Sequence, residues 1–501
     1  MVGKRKKTHW AARRKTKQAR REDDGEQQDT EPRPDRRADR SEAVHPGSYA
    51  AQRQLSTTAE TAKTAETAKT AETAAKPTKR RYGLWVAFCG KDYSGMQMNE
   101  GVKTIEAELE RALFEAGGIA ESNYGFLQKI GWSRAARTDK GVHAAGQLLT
   151  AKLHVGDDVE GFVDKVNAAL PEDIRVMQMV SVTKNFNAKM TCDQRTYEYL
   201  APTFIFAKRA HATPKEKKEE NANGATASWP SDLHESEEGF DDNMMIDNTT
   251  LEAHKAFRLK DETLEQLNTA LQQYVGTHNF HNFTSKMEPS NPQAKRFIIS
   301  FEADPPFVQS GMEWVRLRVV GQSFLLHHIR KMIGTAVEII SGVTDPSAIE
   351  RAMQLTKMDL PKAPSVGLYL AQAHFEVYNM KMAESIQTSH PPLDLKEPVV
   401  AAAVEKFKRD FIFDHIMKHE ERTRTYAKWL RTMEVLPFDY VAKPYLEWKK
   451  EKEEEAARND RDGRRELAKA ARAQVTTPAS NATETPGAET VLRPEETPAS
   501  S

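Results

Sequence analysis

The residues in this chain whose types and spacing could do chemistry lie close together, in residues 131–144. This segment reads Gly-Trp-Ser-Arg-Ala-Ala-Arg-Thr-Asp-Lys-Gly-Val-His-Ala. The side chain of Asp139 ordinarily titrates near ~3.9, so at neutral pH it is ionised and can attack a carbon or accept a proton. An Asp beside an Arg also occurs in surface ion pairs, which contribute little energy. From the residues alone both interpretations stay open. The ionisable side chains of the segment are Arg134, Arg137, Asp139, Lys140 and His143.

The segments on either side are predicted to be strands. Residues 82–90 form an apolar, β-prone run that ends at a glycine, and residues 147–155 alternate as a strand does. Between them, apolar residues recur at helical spacing from Thr104 until two consecutive glycines stop the pattern at residues 117–118. Strands hold the loops at their ends in place, so a loop over residues 131–146 could hold reactive groups rigidly.

A similar pattern recurs later in the chain. It predicts a helix over residues 264–274, strands over 296–302 and 312–320, and a long helix over 325–341 with Gly342 after its end. Two similar halves, each with strands, helices and hairpins, predict an α+β protein with a mostly antiparallel sheet flanked by helices. The inward side of the long helix is predicted to consist of Leu326, Ile329, Ile333, Val337 and Ile340, with His327, Arg330 and Lys331 beside it.

Charge is distributed unevenly along the 501 residues, although the formal net charge is zero. The first 21 residues contain ten Lys or Arg and no acidic residue, which is typical of a nuclear address or an RNA-tethering arm. A merely solvating tail is the alternative. The two cysteines, Cys89 and Cys192, argue against a disulfide scaffold and against a cysteine-based zinc site. No run of about 18 apolar residues occurs, so we expect no membrane span.

Shifts in composition divide the chain into segments. Stretches that are poor in large apolar side chains cannot offset the entropy of ordering the chain, so we expect them to be disordered. The predicted segments are a disordered basic N-terminal arm (1–80), a first half-domain (81–207), a disordered acidic insertion (208–250), a second half-domain (251–380), a helical C-terminal extension (381–455) and a disordered tail (456–501).

Several short motifs follow one another in a characteristic order. They are Ala-Arg-Thr-Asp-Lys-Gly-Val-His-Ala (136–144), Leu-Pro-Glu-Asp-Ile (170–174), Phe-Asn-Ala (186–188), Arg-Thr-Tyr-Glu-Tyr (195–199), Asn-Phe-His-Asn-Phe-Thr-Ser (279–285), Phe-Leu-Leu-His-His-Ile-Arg-Lys-Met-Ile-Gly (324–334) and Ala-Pro-Ser-Val-Gly-Leu (363–368). Over about residues 82–379 the chain thereby resembles the TruA family of tRNA pseudouridine synthases. Agreement at so many positions in the same order is much more specific than a match to one short pattern.

The eukaryotic branch of that family is also recognisable. Residues 88–99 and 323–334 resemble its multisite nuclear enzyme, and Lys140 replaces a bacterial Ala. The resemblance implies two similar half-domains that share one sheet, with the active-site cleft between them. It also implies isomerisation of uridine to pseudouridine in the anticodon stem and loop of tRNA, with spliceosomal small nuclear RNA and mRNA as further candidate substrates. We expect no required cofactor or metal, a monomer, and a nuclear location.

The resemblance implies roles for individual residues. Asp139 is expected to be the catalytic carboxylate, as nucleophile or base, with Arg330 as its ion-pair partner. Arg137 is expected to hold the target nucleotide out of its helix, and Tyr197 to stack on the flipped uracil, a contact worth roughly 1 to 3 kcal/mol. For Tyr197 taken alone, a core position on a strand is the commoner explanation. The remaining substrate contacts are expected from Arg134, Lys140 and Lys331.

Two other functions stay open at this point. One is an RNA-binding or RNA-folding protein that has kept the scaffold and lost the reaction, although the intact Asp139 argues against it. The other is a hydrolase that uses Asp139 and His143 on a phosphodiester or glycosidic bond, in which case shortened RNA or free uracil would be released. A metal-dependent nuclease would need clustered carboxylates, which residues 131–144 lack.

Overall fold

The computed structural model describes most of the predicted core. The described residues are 78–209, 245–385, 390–435, 438, 440–454, 456–459 and 461. The predicted N-terminal arm up to residue 77, residues 210–244 of the predicted acidic insertion and most of the predicted tail lie outside them. The expectation of disorder in those three segments therefore remains a prediction.

Residues 80–181 form strands and helices in the order β-α-β-β-α-β. The first strand, β1, pairs antiparallel with both β3 and β4, and β2 pairs with β3, so the strand order is β4-β1-β3-β2. Apolar side chains on both faces make β1 a buried central strand. The two helices, α1 and α2, pack against each other. The bounds are β1 (Arg80–Phe88), α1 (Ile105–Glu115), β2 (Ser133–Arg134), β3 (His143–Leu153), α2 (Val159–Ala169) and β4 (Ile174–Ser181).

The same order of elements, with insertions of which the longest separates β5 from α5, is found from residue 194 to residue 374. Strands β5, β7, β9 and β11 and helices α5 and α6 form it, and the strand order is β11-β5-β9-β7. The bounds are α3 (Ala188–Thr191), β5 (Gln194–Pro202), α4 (Asn248–Ala256), α5 (Asp261–Gln272), β6 (Gly276–Asn279), β7 (Lys295–Ala303), β8 (Phe307–Gln309), β9 (Met312–Gly321), α6 (His328–Ile340), α7 (Ala348–Met353), β10 (Thr356–Lys357) and β11 (Leu368–His374).

One strand joins these two sets into a single sheet. Strand β11 lies between β3 and β5, pairing parallel with β3 and antiparallel with β5. The sheet order is β4-β1-β3-β11-β5-β9-β7-β6, and the other pairs between described strands are antiparallel. The prediction of a large, mostly antiparallel sheet accompanied by helices is confirmed.

The chain after β11 is mainly helical. One of its contacts with the sheet is an ion pair of two buried residues, Glu198 and Lys408. Glu198 of β5 accepts a hydrogen bond from the hydroxyl of Tyr369 and lies 3.5 Å from Nζ of Lys408. Neighbouring residues of a strand point to opposite faces, so Glu198 and Tyr197 lie on opposite faces of the sheet. The elements are α8 (Glu376–Ala383), α9 (Pro398–Phe407), a π-helical segment (Lys408–Phe413), α10 (Asp414–Thr423), α11 (Thr425–Val435) and β12 (Lys443–Pro444).

The start of helix α6 differs from its prediction. The helix begins at His328, because His327 adopts a left-handed backbone with φ 60° and the preceding residues are not helical. The prediction that Leu326 packs inward is wrong, since 52% of this residue is exposed. The other four members of the predicted stripe are buried: Ile329, Ile333, Val337 and Ile340.

Candidate active site

A cleft of about 850 Å³ brings together parts of the chain that are distant in sequence. One wall comes from the loop between β2 and β3 and its flanks, over residues 132–142. Other parts come from residues 187–197, residues 323–330 and Leu368. The predicted residues that line the cleft are Asp139, Arg137, Arg134, Tyr197 and Arg330.

The loop between β2 and β3 presents Asp139, an exposed residue, to the cleft. A fully buried residue, Gln147, supports the loop through its side-chain amide. The amide oxygen accepts a hydrogen bond from the N–H of Ala136 (3.1 Å), and the amide nitrogen donates one to the carbonyl of Ala136 (2.9 Å). From the other side, the N–H of Met96 donates to the carbonyl of Thr138 (3.2 Å). The residues flanking Asp139 are thus fixed by neighbouring segments, which pre-organises the carboxylate.

Both ring nitrogens of His143 are engaged beneath this loop. The N–H of Gly90 donates to Nδ1 (2.9 Å), so the ring proton lies on Nε2, which donates to the carbonyl of Val366 (3.2 Å). Burial, with a smaller contribution from the neighbouring His415, lowers the pKa of His143 to about 3. This histidine therefore stays neutral near pH 7 and has a structural role, which disfavours a hydrolase that uses it as a base.

Gly90 is expected to be required for the position of the Asp139 loop. A Cβ atom at this residue would overlap the carbonyl oxygen of Val142. We expect Gly90→Ala to lower the free energy of unfolding by about 1 to 3 kcal/mol, because the loop must shift to accommodate the methyl group. Denaturant unfolding would measure this. The control is Gly83→Ala, on the strand β1 that precedes Gly90, where the nearest side chains are at an ordinary 3.4 Å. Equal losses in the two variants would contradict the explanation.

Arg330 lies in the first turn of α6 and is only 3% exposed. Its Nε donates to the carbonyl of Ala363 (2.6 Å), and the N–H of Ala363 donates back to the carbonyl of Arg330 (3.0 Å). This close approach needs Gly334, since a Cβ there would overlap the carbonyl oxygen of Pro361. The guanidinium is therefore held in one orientation, and it lines the same cleft as Asp139.

Tyr197 lies on β5 and is 8% exposed. Its ring meets the ring of Phe324 edge to face, with centroids 5.2 Å apart and planes at 80°. Burial raises the pKa of Tyr197 to about 12, while the charge of Arg195 lowers it and the charge of Asp139 raises it. The phenol is thus neutral near pH 7.

Of the predicted arginines, Arg137 is exposed at the cleft, but Arg134 already has strong partners. The guanidinium of Arg134 binds both carboxylate oxygens of the buried Glu106, at 2.5 and 2.8 Å, and also donates to the amide oxygen of Gln97 (3.2 Å). Such a bidentate pair has a fixed geometry. Arg134 therefore ties β2 to α1, and a contact with substrate would have to coexist with this pair.

The two predicted lysines are not among the residues that line the cleft. Lys140 is exposed at the turn after Asp139. The ammonium of Lys331 donates to the carbonyls of Asn282 (3.2 Å) and Thr284 (3.5 Å), and burial lowers the pKa of Lys331 to about 7. Their predicted role in substrate binding therefore depends on RNA that extends beyond the cleft.

Arg195 belongs to the site although sequence reasoning gave it no role. Its Nε and Nη2 donate to the carbonyl of Ala135 (3.1 and 2.7 Å), and its Nη1 donates to the carbonyl of Gln322 (2.6 Å). It joins the Asp139 loop to the segment that leads into α6. The motif Arg-Thr-Tyr-Glu-Tyr that was quoted for Tyr197 begins with this arginine, so the motif contained the signal.

The described residues contain no group of three or more His, Cys, Asp or Glu side chains placed to hold a metal ion. Within the same part of the chain, no helix combines the length and the apolar composition needed to cross a membrane.

Comparison with known proteins identifies the family. The sequence model of the family described as tRNA pseudouridine synthase matches residues 270–376, which include α6 and Arg330. The pseudouridylate synthase 1 homolog of Mus musculus is 38% identical over 370 residues, 73% of this chain and 77% of that protein. The Homo sapiens homolog is 39% identical over 362 residues (72% and 74%), and tRNA pseudouridine synthase 1 of Yarrowia lipolytica is 32% identical over 411 residues (73% and 77%).

Identity at this level over more than two thirds of the chain defines its class: the chain belongs to the TruA family of tRNA pseudouridine synthases and is an isomerase. Within the family it is similar to the eukaryotic pseudouridine synthase 1 proteins. The predicted family, branch and enzyme class are confirmed.

Proposed function

We propose that this isomerase converts uridine to pseudouridine in the anticodon stem and loop of tRNA, with Asp139 as the catalytic carboxylate. The bond from C1′ to N1 of uracil breaks, the captive base turns, and C5 bonds to C1′. C5 then loses its proton and N1 gains one, so product and substrate have the same atoms and oxidation state. The reaction therefore requires no redox or nucleotide co-substrate.

The observation that carries this proposal is that Asp139 and Arg330 line one cleft. Asp139 is exposed in the free chain, and a uridine bound in the cleft would withdraw its carboxylate from water, which favours protonation, whereas an adjacent guanidinium keeps it ionised. At contact distance such a pair attracts by about 4 kcal/mol in an environment of intermediate polarity, before the cost of desolvation is subtracted. We propose that Arg330 keeps Asp139 charged and oriented for its reaction with the uridine.

The target base must leave its stack to reach Asp139, which costs a few kcal/mol. Stacking of the flipped uracil on Tyr197 would offset part of this cost. The exposed position of Arg137 at the cleft supports its role in holding the displaced nucleotide, because its guanidinium is accessible to RNA. In this proposal the aromatic ring and the exposed arginine capture the base, and the carboxylate acts on it.

Replacement of Tyr197 tests the stacking role. We expect Tyr197→Leu to lower kcat/KM for tRNA by roughly 10- to 100-fold, because the planar surface for the uracil is lost. Tyr197→Phe keeps the ring and should retain activity within about threefold. Single-turnover rates on an unmodified tRNA would measure both. Equal defects in the two variants would assign the effect to the hydroxyl group and would contradict stacking.

The reaction itself is tested with the purified full-length chain and an unmodified tRNA transcript, in the presence of a chelator and without added nucleotide. We expect pseudouridine at uridines of the anticodon stem and loop, detected by mapping each modified position. Shortened RNA or free uracil would favour a hydrolase. Tight tRNA binding without any product would favour the RNA-binding alternative.

We further propose that the core consists of two similar half-domains with the active-site cleft between them. The repeated β-α-β-β-α-β order and the two matching strand orders support this division. In this proposal the boundary lies between β4 and β5, within residues 182–193. Strand β5 would then belong to the second half-domain, whereas the predicted first half-domain extends to residue 207.

The remaining expectations concern partners and location. We propose that the enzyme acts as a monomer in the nucleus, that its basic first 21 residues serve as the nuclear address, and that small nuclear RNA and mRNA are further substrates.

The C-terminal helices offer exposed cations for the RNA backbone. Several of these are paired along their own helices, as in Lys406 with Asp410 and Lys418 with Asp414, so RNA phosphates would compete with weak surface pairs.

A further inference from the structure

Residues 363–367 connect the two sides of the catalytic cleft through their backbone carbonyls. The carbonyl of Ala363 accepts a hydrogen bond from Nε of Arg330 (2.6 Å). The carbonyl of Val366 accepts one from Nε2 of His143 (3.2 Å), the residue with which β3 begins after the Asp139 loop. One short segment therefore contacts both the partner arginine and the base of the loop that carries the carboxylate.

This segment is held in place through β5. The hydroxyl of Tyr199 donates to the carbonyl of Pro364 (2.9 Å), and the N–H of Leu200 donates to the carbonyl of Gly367 (3.0 Å). The carbonyl of Leu200 in turn accepts a hydrogen bond from the hydroxyl of Tyr426 (2.8 Å), a residue of α11 in the C-terminal part of the chain. The buried Tyr426 thus connects helix α11 to the segment.

The fit around Tyr426 is tight. The residue is 0% exposed, and a Cβ atom at Gly367 would overlap its hydroxyl oxygen and lie 2.5 Å from the carbonyl oxygen of Leu200. Glycine at residue 367 is what allows the tyrosine hydroxyl to reach that carbonyl. Tyr426 and residues 363–367 therefore pack as one unit in which a small displacement of the helix is transmitted to the segment.

The C-terminal helices are themselves fixed at this position. The carboxylate of Glu420, in α10, accepts hydrogen bonds from the N–H groups of Tyr426 (2.8 Å) and Ala427 (3.4 Å) at the start of α11. Also in α10, His415 places its ring against that of His143, with centroids 5.3 Å apart and planes at 73°. Helices α10 and α11 therefore contact both the support of the Asp139 loop and the support of Arg330.

We propose that Tyr426 is a positioning residue for catalysis, which sets Arg330 relative to Asp139 through Leu200 and residues 363–367. It is not among the residues that line the cleft, so it acts through the backbone and makes no contact with the uridine there. The inference rests on the proposed function only for the roles of Asp139 and Arg330. It assigns the C-terminal helices a task in the chemical step, in addition to any contact with RNA.

The test is Tyr426→Phe in the full-length chain, which removes one oxygen atom and keeps the buried ring. We expect kcat to fall about tenfold or more while KM for tRNA stays within about twofold, because the substrate surface is intact and only the geometry of the charged pair has loosened. Amide hydrogen exchange should become faster in residues 363–367 and 135–142.

The matched control is Tyr378→Phe. Tyr378 is also a buried tyrosine, and its hydroxyl accepts a hydrogen bond from the N–H of Thr183 (3.3 Å), outside this network, so the variant likewise loses one tyrosine hydrogen bond. We expect this variant to keep the wild-type kcat and to have a melting temperature similar to that of Tyr426→Phe. A wild-type kcat in Tyr426→Phe, or an equal loss in both variants, would overturn the positioning role.

Hydrogen exchange separates this inference from the proposed function. Unchanged exchange in residues 363–367 of Tyr426→Phe would overturn the positioning role whatever the activity. A wild-type chain that makes no pseudouridine would overturn the proposed function, whereas faster exchange in the variant would still support the connection from α11 to the cleft.

Discussion

Asp139→Asn is expected to abolish pseudouridine formation, with a loss in kcat on the order of 10⁴-fold or more, because the reacting carboxylate is replaced by a neutral amide that is a poor nucleophile and base. The change keeps the size of the side chain. The loop is held by hydrogen bonds of the flanking residues, including those from Gln147 and Met96, so its conformation should persist. We therefore expect tRNA affinity to stay within a fewfold of wild type.

Two assays on the same preparation check this result: quantification of pseudouridine per tRNA and equilibrium binding of unmodified tRNA. The matched control is Asp92→Asn, an exposed aspartate in an earlier loop, whose side chain lies 3.9 Å from the ammonium of Lys91. It should leave both quantities unchanged. Accumulation of product by Asp139→Asn would show that another group performs the reaction.

Arg330→Met is expected to have the second largest effect, a loss in kcat of about 10²- to 10³-fold, because a preorganised charge is removed from a largely buried site. Methionine preserves most of the aliphatic packing in α6 but leaves the carbonyl of Ala363 without its donor, which should lower stability by about 1 to 3 kcal/mol. Without the guanidinium, Asp139 is expected to take up a proton more readily. The acid limb of the rate profile should therefore move to higher pH.

The measurements are kcat as a function of pH and the free energy of unfolding. Arg111→Met is the matched control, because this arginine of α1 donates to the carbonyl of Ala169 (2.8 Å) and binds Glu108 and Glu115 outside the cleft. It should lose stability without losing kcat. Arg330→Lys should recover only part of the activity, since an ammonium cannot reproduce the planar fork. Full activity in Arg330→Met would refute the proposed ion pair.

Local patterns predicted many of the elements that position this site. The hairpin of β7 and β9 and the end of α6 before Gly342 follow the predicted ranges closely. These features depend on side-chain periodicity and on residues that end helices, both of which are properties of a few consecutive residues. The loop with Asp139 was also predicted, over residues 131–146, because its charged residues and glycine precede an alternating strand. In the structure the loop is shorter, since Ser133–Arg134 form β2 and β3 begins at His143.

Long-range pairing was not predictable in this way. Strand β3 begins at His143, before its predicted start at residue 147, because its first residues pair with β11. Leu326 is exposed because α6 begins after it, although its spacing fits the apolar stripe. The start of β3 depends on the position of a distant strand, and the start of α6 depends on one residue with a left-handed backbone. The periodicity of side chains contains neither piece of information.

The sequence by itself determined the family, the isomerase class and the identity of the candidate carboxylate, since those follow from residue types in a fixed order. Only the tertiary structure decided the partners of the ionisable groups: Arg134 binds Glu106, His143 is neutral between two backbone groups, and Arg195 supports the Asp139 loop. The physical reason is that charge state and orientation depend on burial and on hydrogen bonds from segments far away in the chain. Those segments become neighbours only when β11 joins the two sets of strands into one sheet.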